Sequence, residues 1–231
     1  MSIIPEWNSY QKRLKETIKK QDSYNEAKEL FIMMHGMVHF AQSCETKEPA
    51  VMDKLWEDLD KEHVCIMPKE DDVTIAWNIW HITRIEDLTV NLLINNSEQV
   101  LNKEWLERLN VNVTDTGNAM TDDEIIAFSK QVNIQELKNY RIAVGERTQK
   151  ILRNLGDQDM KRKIEKAKLD KILLVGGVLE HPDSIWLLDF WGKKDIAGII
   201  LMPVTRHQIV HLNDCANIKK AINSKKEFFR I

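Results

Sequence analysis

"VTIAWNIWHITRIEDLTVNLLI", residues 73–94, is the stretch on which the fold turns. Over about six turns it places Trp77, His81, Ile85, Leu88 and Leu92 on one side. That spacing specifies an α-helix with an apolar face against a core. It also sets a histidine among the core positions, where an unsatisfied polar group costs about 1 to 3 kcal/mol. A core imidazole with one hydrogen-bonded partner is the ordinary outcome.

Working outward, two amphipathic stretches precede it. Residues 6–21, "EWNSYQKRLKETIKKQ", lead to Asp22 and Ser23, both good N-cap residues, and then to "NEAKELFIMMHGMVHFAQ" at 25–42. There Ala27, Leu30, Phe31, Met34, Val38 and Ala41 share one side of a second core helix. Residues 53–72 read as a short helix and an irregular acidic connection. After the loop "NVTDTGNAM" at 112–120, Thr121 with Glu124 forms a capping box, and Asn133 with Glu136 repeats it. The second box opens a long helix at 134–155 with Leu137, Tyr140, Val144, Thr148, Ile151 and Leu155 in register. Thr205 with Gln208 makes a further box, opening "RHQIVHLNDCANIKKAI" at 206–222. Four long helices with short accessory ones describe an all-α four-helix bundle. Residues 156–194 are less regular, and "ILLVGGVL" at 172–179 fits either a strand or a helix.

Bulk properties narrow the function. The 231 residues suffice for one domain over 1–231 with an elaboration around 156–194. Net charge is −3 with 30% charged residues of both signs, so no basic face marks a nucleic-acid partner. No apolar run approaches the roughly 18 residues of a membrane span. Cys44, Cys65 and Cys215 form no CxxC pair, and no signal peptide is evident, which fits a reducing cytosol. The glycine pair in "VGG" lacks a phosphate-loop pattern.

His207 and His211 stand four residues apart in a helix, about 40° around its axis, and so point the same way. By itself such a pair is a weak metal signal. Combined with His81 it gives three nitrogen ligands from two helices, leaving a coordination position open as catalytic sites do. No ExxH or HExxH occurs at any of the seven histidines, which removes di-iron carboxylate and zincin chemistry.

The blocks "TIAWNIWHITRIEDLTVNLL" and "LMPVTRHQIVHLNDC" resemble those of the DinB/YfiT-like family of metal-binding four-helix bundles. "DTGNAM" and "YRIAVGERT" resemble a longer-chain branch of it. The resemblance implies metal ligation by His81, His207 and His211, with a divalent Zn, Ni or Fe ion. A water at the open position of such an ion would be an activated nucleophile, as in a hydrolase; the resemblance also implies a thiol-transferase type of enzyme joining a low-molecular-weight thiol to a small-molecule substrate, and a homodimer. The rival is a non-catalytic bundle in which the ion is structural. No convincing general base stands beside the triad, and catalytic side chains are not assigned.

Other polar residues have plainer readings. His35 and His39 are expected at a solvated or hydrogen-bonded helix edge, with approach to the metal as the alternative. Cys215 is expected to pack, with soft ligation as the alternative. Arg84 and Arg206 would anchor an anion or form ion pairs, Arg84 with Glu86 or Asp87. Trp77 and Trp80 are expected in the core.

Overall fold

The computed structural model describes residues 3–44, 49–69 and 72–224. Glu70 and Asp71, part of the expected acidic connection, lie outside them. The helices in chain order are α1 (Trp7–Thr17), α2 (Tyr24–Met37), α3 (Ala41–Cys44), α4 (Val51–Trp56) and α5 (Ile75–Glu86). They continue with α6 (Lys103–Leu109), α7 (Asp122–Gln131), α8 (Ile134–Asn154), α9 (Lys166–Leu174), α10 (Pro182–Gly192), α11 (Ile196–Ile199) and α12 (His207–Asn223). No strand occurs among the described residues; an isolated antiparallel bridge joins Lys163 to Asp195. "ILLVGGVL" therefore resolves as the end of α9 and a turn.

The fold is the all-α bundle expected, built from α2, α5, α8 and α12. The α5 helix packs on both α8 and α12, and α2 closes the bundle against α8. One apolar core runs from Ile4 to Ile222 and includes Phe31, Trp80, Tyr140 and Trp191. Where the sequence suggested one buried face for α5, every residue from Ile75 to Ile94 is buried. This helix is wrapped by its neighbours on all sides, which an apolar stripe alone understates.

Side-chain caps begin six of these twelve helices. Thr74 Oγ1 accepts from the Trp77 amide at 3.0 Å, and Thr121 with Glu124 forms the expected reciprocal box. Asn133 accepts from the amides of Gln135 and Glu136, while the Glu136 carboxylate turns away to Arg108. Ser23 precedes α2 but makes no side-chain cap bond.

The box expected at Thr205 and Gln208 does not form. Helix starts ten residues earlier, where Asp195 Oδ1 accepts from the Gly198 amide, and passes through a π-helical segment, Ile200–Arg206, into α12. Pro203 lies within that segment. A proline has no amide hydrogen and crowds the preceding turn, and widening the helix accommodates it. Thr205 Oγ1 donates to Ile200 O, and Gln208 is buried. A second π-helical segment, Asp87–Ile94, extends α5.

Candidate metal centre

Four side chains of α5 are clamped by one loop. Trp77, Trp80, His81 and Arg84 lie at i, i+3, i+4 and i+7, on one face of the helix. Trp77 Nε1 donates to Gly117 O (3.1 Å), Trp80 Nε1 to Asp115 O (3.1 Å), His81 Nδ1 to Thr116 O (2.7 Å) and Arg84 Nε to Thr114 O (3.0 Å). Four successive carbonyls of residues 114–117 are thus used. Gly117 enables the turn: its φ is +77°, and a Cβ there would stand 2.7 Å from Trp77 Nε1.

A carbonyl only accepts, so the Thr116 contact places the His81 proton on Nδ1 and leaves Nε2 with its lone pair free. The Trp77 ring stacks on that imidazole at 4.5 Å and 10°, fixing its plane. His211 is oriented in the same manner. Its Nδ1 faces Asn78 Oδ1 at 2.7 Å, and Asn78 Nδ2 donates to Thr74 O, so the amide is held oxygen-outward and His211 Nε2 is left free.

His81, His207 and His211 converge, each with a nitrogen within 4.8 Å of the others'. Ring centroids are 4.5 Å apart for His207 and His211, 5.1 Å for His81 and His207, and 4.8 Å for His81 and His211. His81 is buried, whereas His207 and His211 are half-buried and open the group to solvent on one side. Buried His207 Nδ1 has no hydrogen-bond partner among the described residues.

The electrostatics keep these rings neutral. Burial lowers the His81 pKa to about 4 against the opposing pull of the Thr116 bond. Burial, then the His81 ring, lowers His211 to about 3. His207 is held well below its ordinary value by burial and by both other imidazoles. Three neutral imidazoles with a nitrogen lacking any protein partner fit a divalent ion, since a metal needs its histidines deprotonated.

A second group, His35, His39 and Glu86, also has ligand atoms within 4.8 Å of one another. All three are fully buried, which corrects the expected helix edge for the two histidines: they face the bundle's interior. His35 Nε2 and His39 Nε2 each lie 2.8 Å from a Glu86 oxygen, and Gln208 Nε2 donates to Glu86 Oε2 at 3.0 Å. Gln208 Oε1 accepts from Arg141 Nη2, and Gln149 Nε2 lies 2.8 Å from His35 Nδ1. Burial opposes ionisation of Glu86, but the adjacent histidines and their hydrogen bonds outweigh it and hold its pKa well below the usual range. Its charge is already answered by buried Arg141, so this donor set suits a hydrogen-bonded layer rather than a cation.

The remaining candidates are structural. Arg84 is fully buried and bonds Asp87, Tyr140 Oη and Gln99 besides Thr114 O. It therefore offers nothing to an anion, and its carboxylate partner is Asp87. Arg206 is exposed. Cys215 is fully buried in the core, and burial raises its thiol pKa, so it packs as a thiol. Trp77 and Trp80 are both buried in the core, as expected, and Trp77 also stacks on His81. Sequence reasoning missed Asn78, Thr116, Glu86 and Gln208; the only available signal was a second HxxxH, at His35 and His39, beside an unusually long buried helix.

Comparison with known proteins gives two findings. The DinB superfamily matches residues 46–214. A crystal structure of a conserved protein from Enterococcus faecalis is similar over 85% of this chain and 97% of its own, with 16% identity and a TM-score of 0.59, which bears on the fold. No curated protein matches.

Proposed function

This chain belongs to the DinB superfamily, and from that premise we propose that His81, His207 and His211 bind a divalent transition-metal ion at the centre of a metal-dependent enzyme. The observation that carries the reading is the convergence of three neutral imidazoles, two of them with Nδ1 committed to fixed acceptors. When bound, such an ion supplies Lewis acidity and lowers the pKa of a water or thiol at its open position. The protein's own part is orientation. Trp77 and Thr116 hold His81, Asn78 holds His211, and the half-buried faces of His207 and His211 leave the approach open to solvent. The reaction class that suits this arrangement is transfer of a low-molecular-weight thiol to an electrophile, or hydrolysis. Zn, Ni and Fe all suit three imidazoles.

Untagged protein should contain close to stoichiometric metal by elemental analysis, and a His207→Ala, His211→Ala variant should lose it. Unchanged metal in that variant would falsify the site. Thiol conjugation or hydrolysis that appears on metal loading and vanishes in the variant would support the enzymatic reading.

A second reading, an ion that only ties α5 to α12, draws on the donor set itself: among the described residues the converging group holds imidazoles and no carboxylate. It predicts that metal removal lowers the melting temperature without abolishing any turnover.

A further inference from the structure

Helix runs from Ile196 to Asn223, through α11, the π-helical turn and α12, but its two ends are out of step. Ile199 and Ile200 upstream and Leu212 and Cys215 downstream are all fully buried, so both ends are anchored in the core. Between them the His207 amide closes the wide turn. It bonds Met202 O, five residues back, where an α-helix would use Pro203 O. Such a bond encloses one residue more than an α turn, and each residue is worth about 100° of rotation. The extra residue therefore sets which side of α12 faces α5. With the same residues wound as an α-helix from Ile200 onward, exposed Arg206 and 45%-exposed Val210 would stand where His207 and His211 meet His81.

With both ends held, the extra residue has to be absorbed somewhere between Ile200 and Leu212. Pro203 decides where. An α-helical amide at 203 would bond Ile199 O, and proline has no amide hydrogen, so the regular turn is blocked at that point. Two side chains then serve the wide turn. Gln208 Nε2 donates to Pro203 O, the carbonyl that the His207 amide leaves free (3.0 Å), and Thr205 Oγ1 donates to Ile200 O (2.8 Å). The other π-helical segment, Asp87–Ile94, comes after His81 in the chain and leaves that ring to the clamp at 114–117.

We propose that Pro203 is a positioning residue of the three-histidine centre: it pins the wide turn upstream of His207 and so keeps His207 and His211 turned towards His81. The inference takes its purpose from the metal reading but concerns the rings themselves. Without the proline, an amide at 203 can bond Ile199 O, and the extra residue is free to move down the helix. A wide turn that passes His207 rotates this ring towards the place of Gln208 and brings Arg206 round in its stead, while Ile200 and Leu212 stay where they are.

The test compares the full chain with Pro203→Ala, and with Pro203→Ala combined with deletion of Met202, each metal-free and with isotopically labelled histidine rings. Nuclear Overhauser contacts of His81 with His207 and His211, whose centroids lie 5.1 and 4.8 Å away, are expected in the wild type. Pro203→Ala should weaken the His207 contact while circular dichroism shows the helix content unchanged. Zinc affinity, by chelator competition, should fall about three- to tenfold, the inverse of the fraction of molecules that keep the turn upstream. Deleting Met202 removes the extra residue, so one uninterrupted α-helix satisfies both anchored ends; contacts and affinity should then return. In an ordinary α-helix the same deletion would turn everything beyond it by about 100° and abolish the site. Undiminished contacts in Pro203→Ala overturn the proposal, as does loss of helix content in that variant or a deletion that restores nothing. A wild type that shows the contacts and binds no zinc sinks the metal reading alone, because the contacts report the rings without it.

Discussion

At the residue scale, Asn78 sets the orientation of one of the three converging imidazoles, His211. Its oxygen fixes the His211 proton on Nδ1, and it is fully buried. Asn78→Leu should weaken metal binding about 10- to 100-fold, the usual effect of removing the partner of a ligating histidine; competition with a chromogenic chelator measures it, and unchanged affinity would show that packing alone orients the ring. Glu86 carries a different load. Glu86→Gln leaves Arg141 as an uncompensated buried cation and sets an amide against donors that need an acceptor. A loss of about 3 to 5 kcal/mol is expected in urea denaturation. Of these residues the sequence made His81, His207 and His211 legible, because repeat spacing survives in one dimension. Asn78, Thr116 and Gln208 were not, because each acts by meeting an atom 35 or more positions away.

At the element scale, the long helices could be read from their periods, and the Thr121 and Asn133 caps from their side-chain chemistry. The box at Thr205 and Gln208 misled for a physical reason. A Thr followed three residues later by Gln caps a helix only where the backbone leaves it, and here Arg206 sits at φ −60° and ψ −42°, within the continuing helix. The Arg84–Asp87 pair was legible as an ion pair three residues apart, whereas nothing local reveals that Glu86 meets Gln208 or that Asp87 also accepts from Asn91 and from the Leu101 amide. The loop at 114–117 is the element that joins these effects to the site. Gly117→Ala demands φ near +77° of a residue with a Cβ and drives that carbon into Trp77. The strain alone costs about 1 to 3 kcal/mol. Because the Thr116 carbonyl is next in line, the variant should also bind metal less tightly than the wild type; a stability loss with intact affinity would mean that the loop adjusts around His81.

At the scale of the whole molecule, α2 with the turn after it, α5, α8 and α12 contribute side chains to one buried polar layer, through His35 and His39, Glu86, Arg141 and Gln149, and Gln208. Such a layer is costly to misalign, since sliding any helix leaves buried groups unpaired. It lies beside the three-histidine centre, with Gln208 next to His207 in the chain, so both buried clusters bear on stability against acid. In metal-free protein His39 titrates at about 3, with burial and then Arg141 lowering it; His81 titrates at about 4 and His211 at about 3, and His207 is also well depressed. In the unfolded chain all four take up protons near 6.5. Below that pH the unfolded state binds more protons than the folded one, so stability falls as pH falls, while above about 7 neither state binds them and the effect ends. Each histidine contributes a slope of about 1.4 kcal/mol per pH unit, so one unit of acidification across all four removes roughly 5 kcal/mol, comparable with the whole stability of an ordinary domain. The depressed Glu86 pKa acts in the same direction at lower pH, its contribution being lost as the carboxylate protonates. Metal-stripped protein should therefore hold its melting temperature from pH 8 to 7 and lose it steeply between about 6.5 and 5. A His207→Ala, His211→Ala variant, with two of the four histidines gone, should show about half that steepness. Scanning calorimetry across this range decides the matter, and a melting temperature that stays level down to pH 5 would mean that these imidazoles are not held neutral by burial.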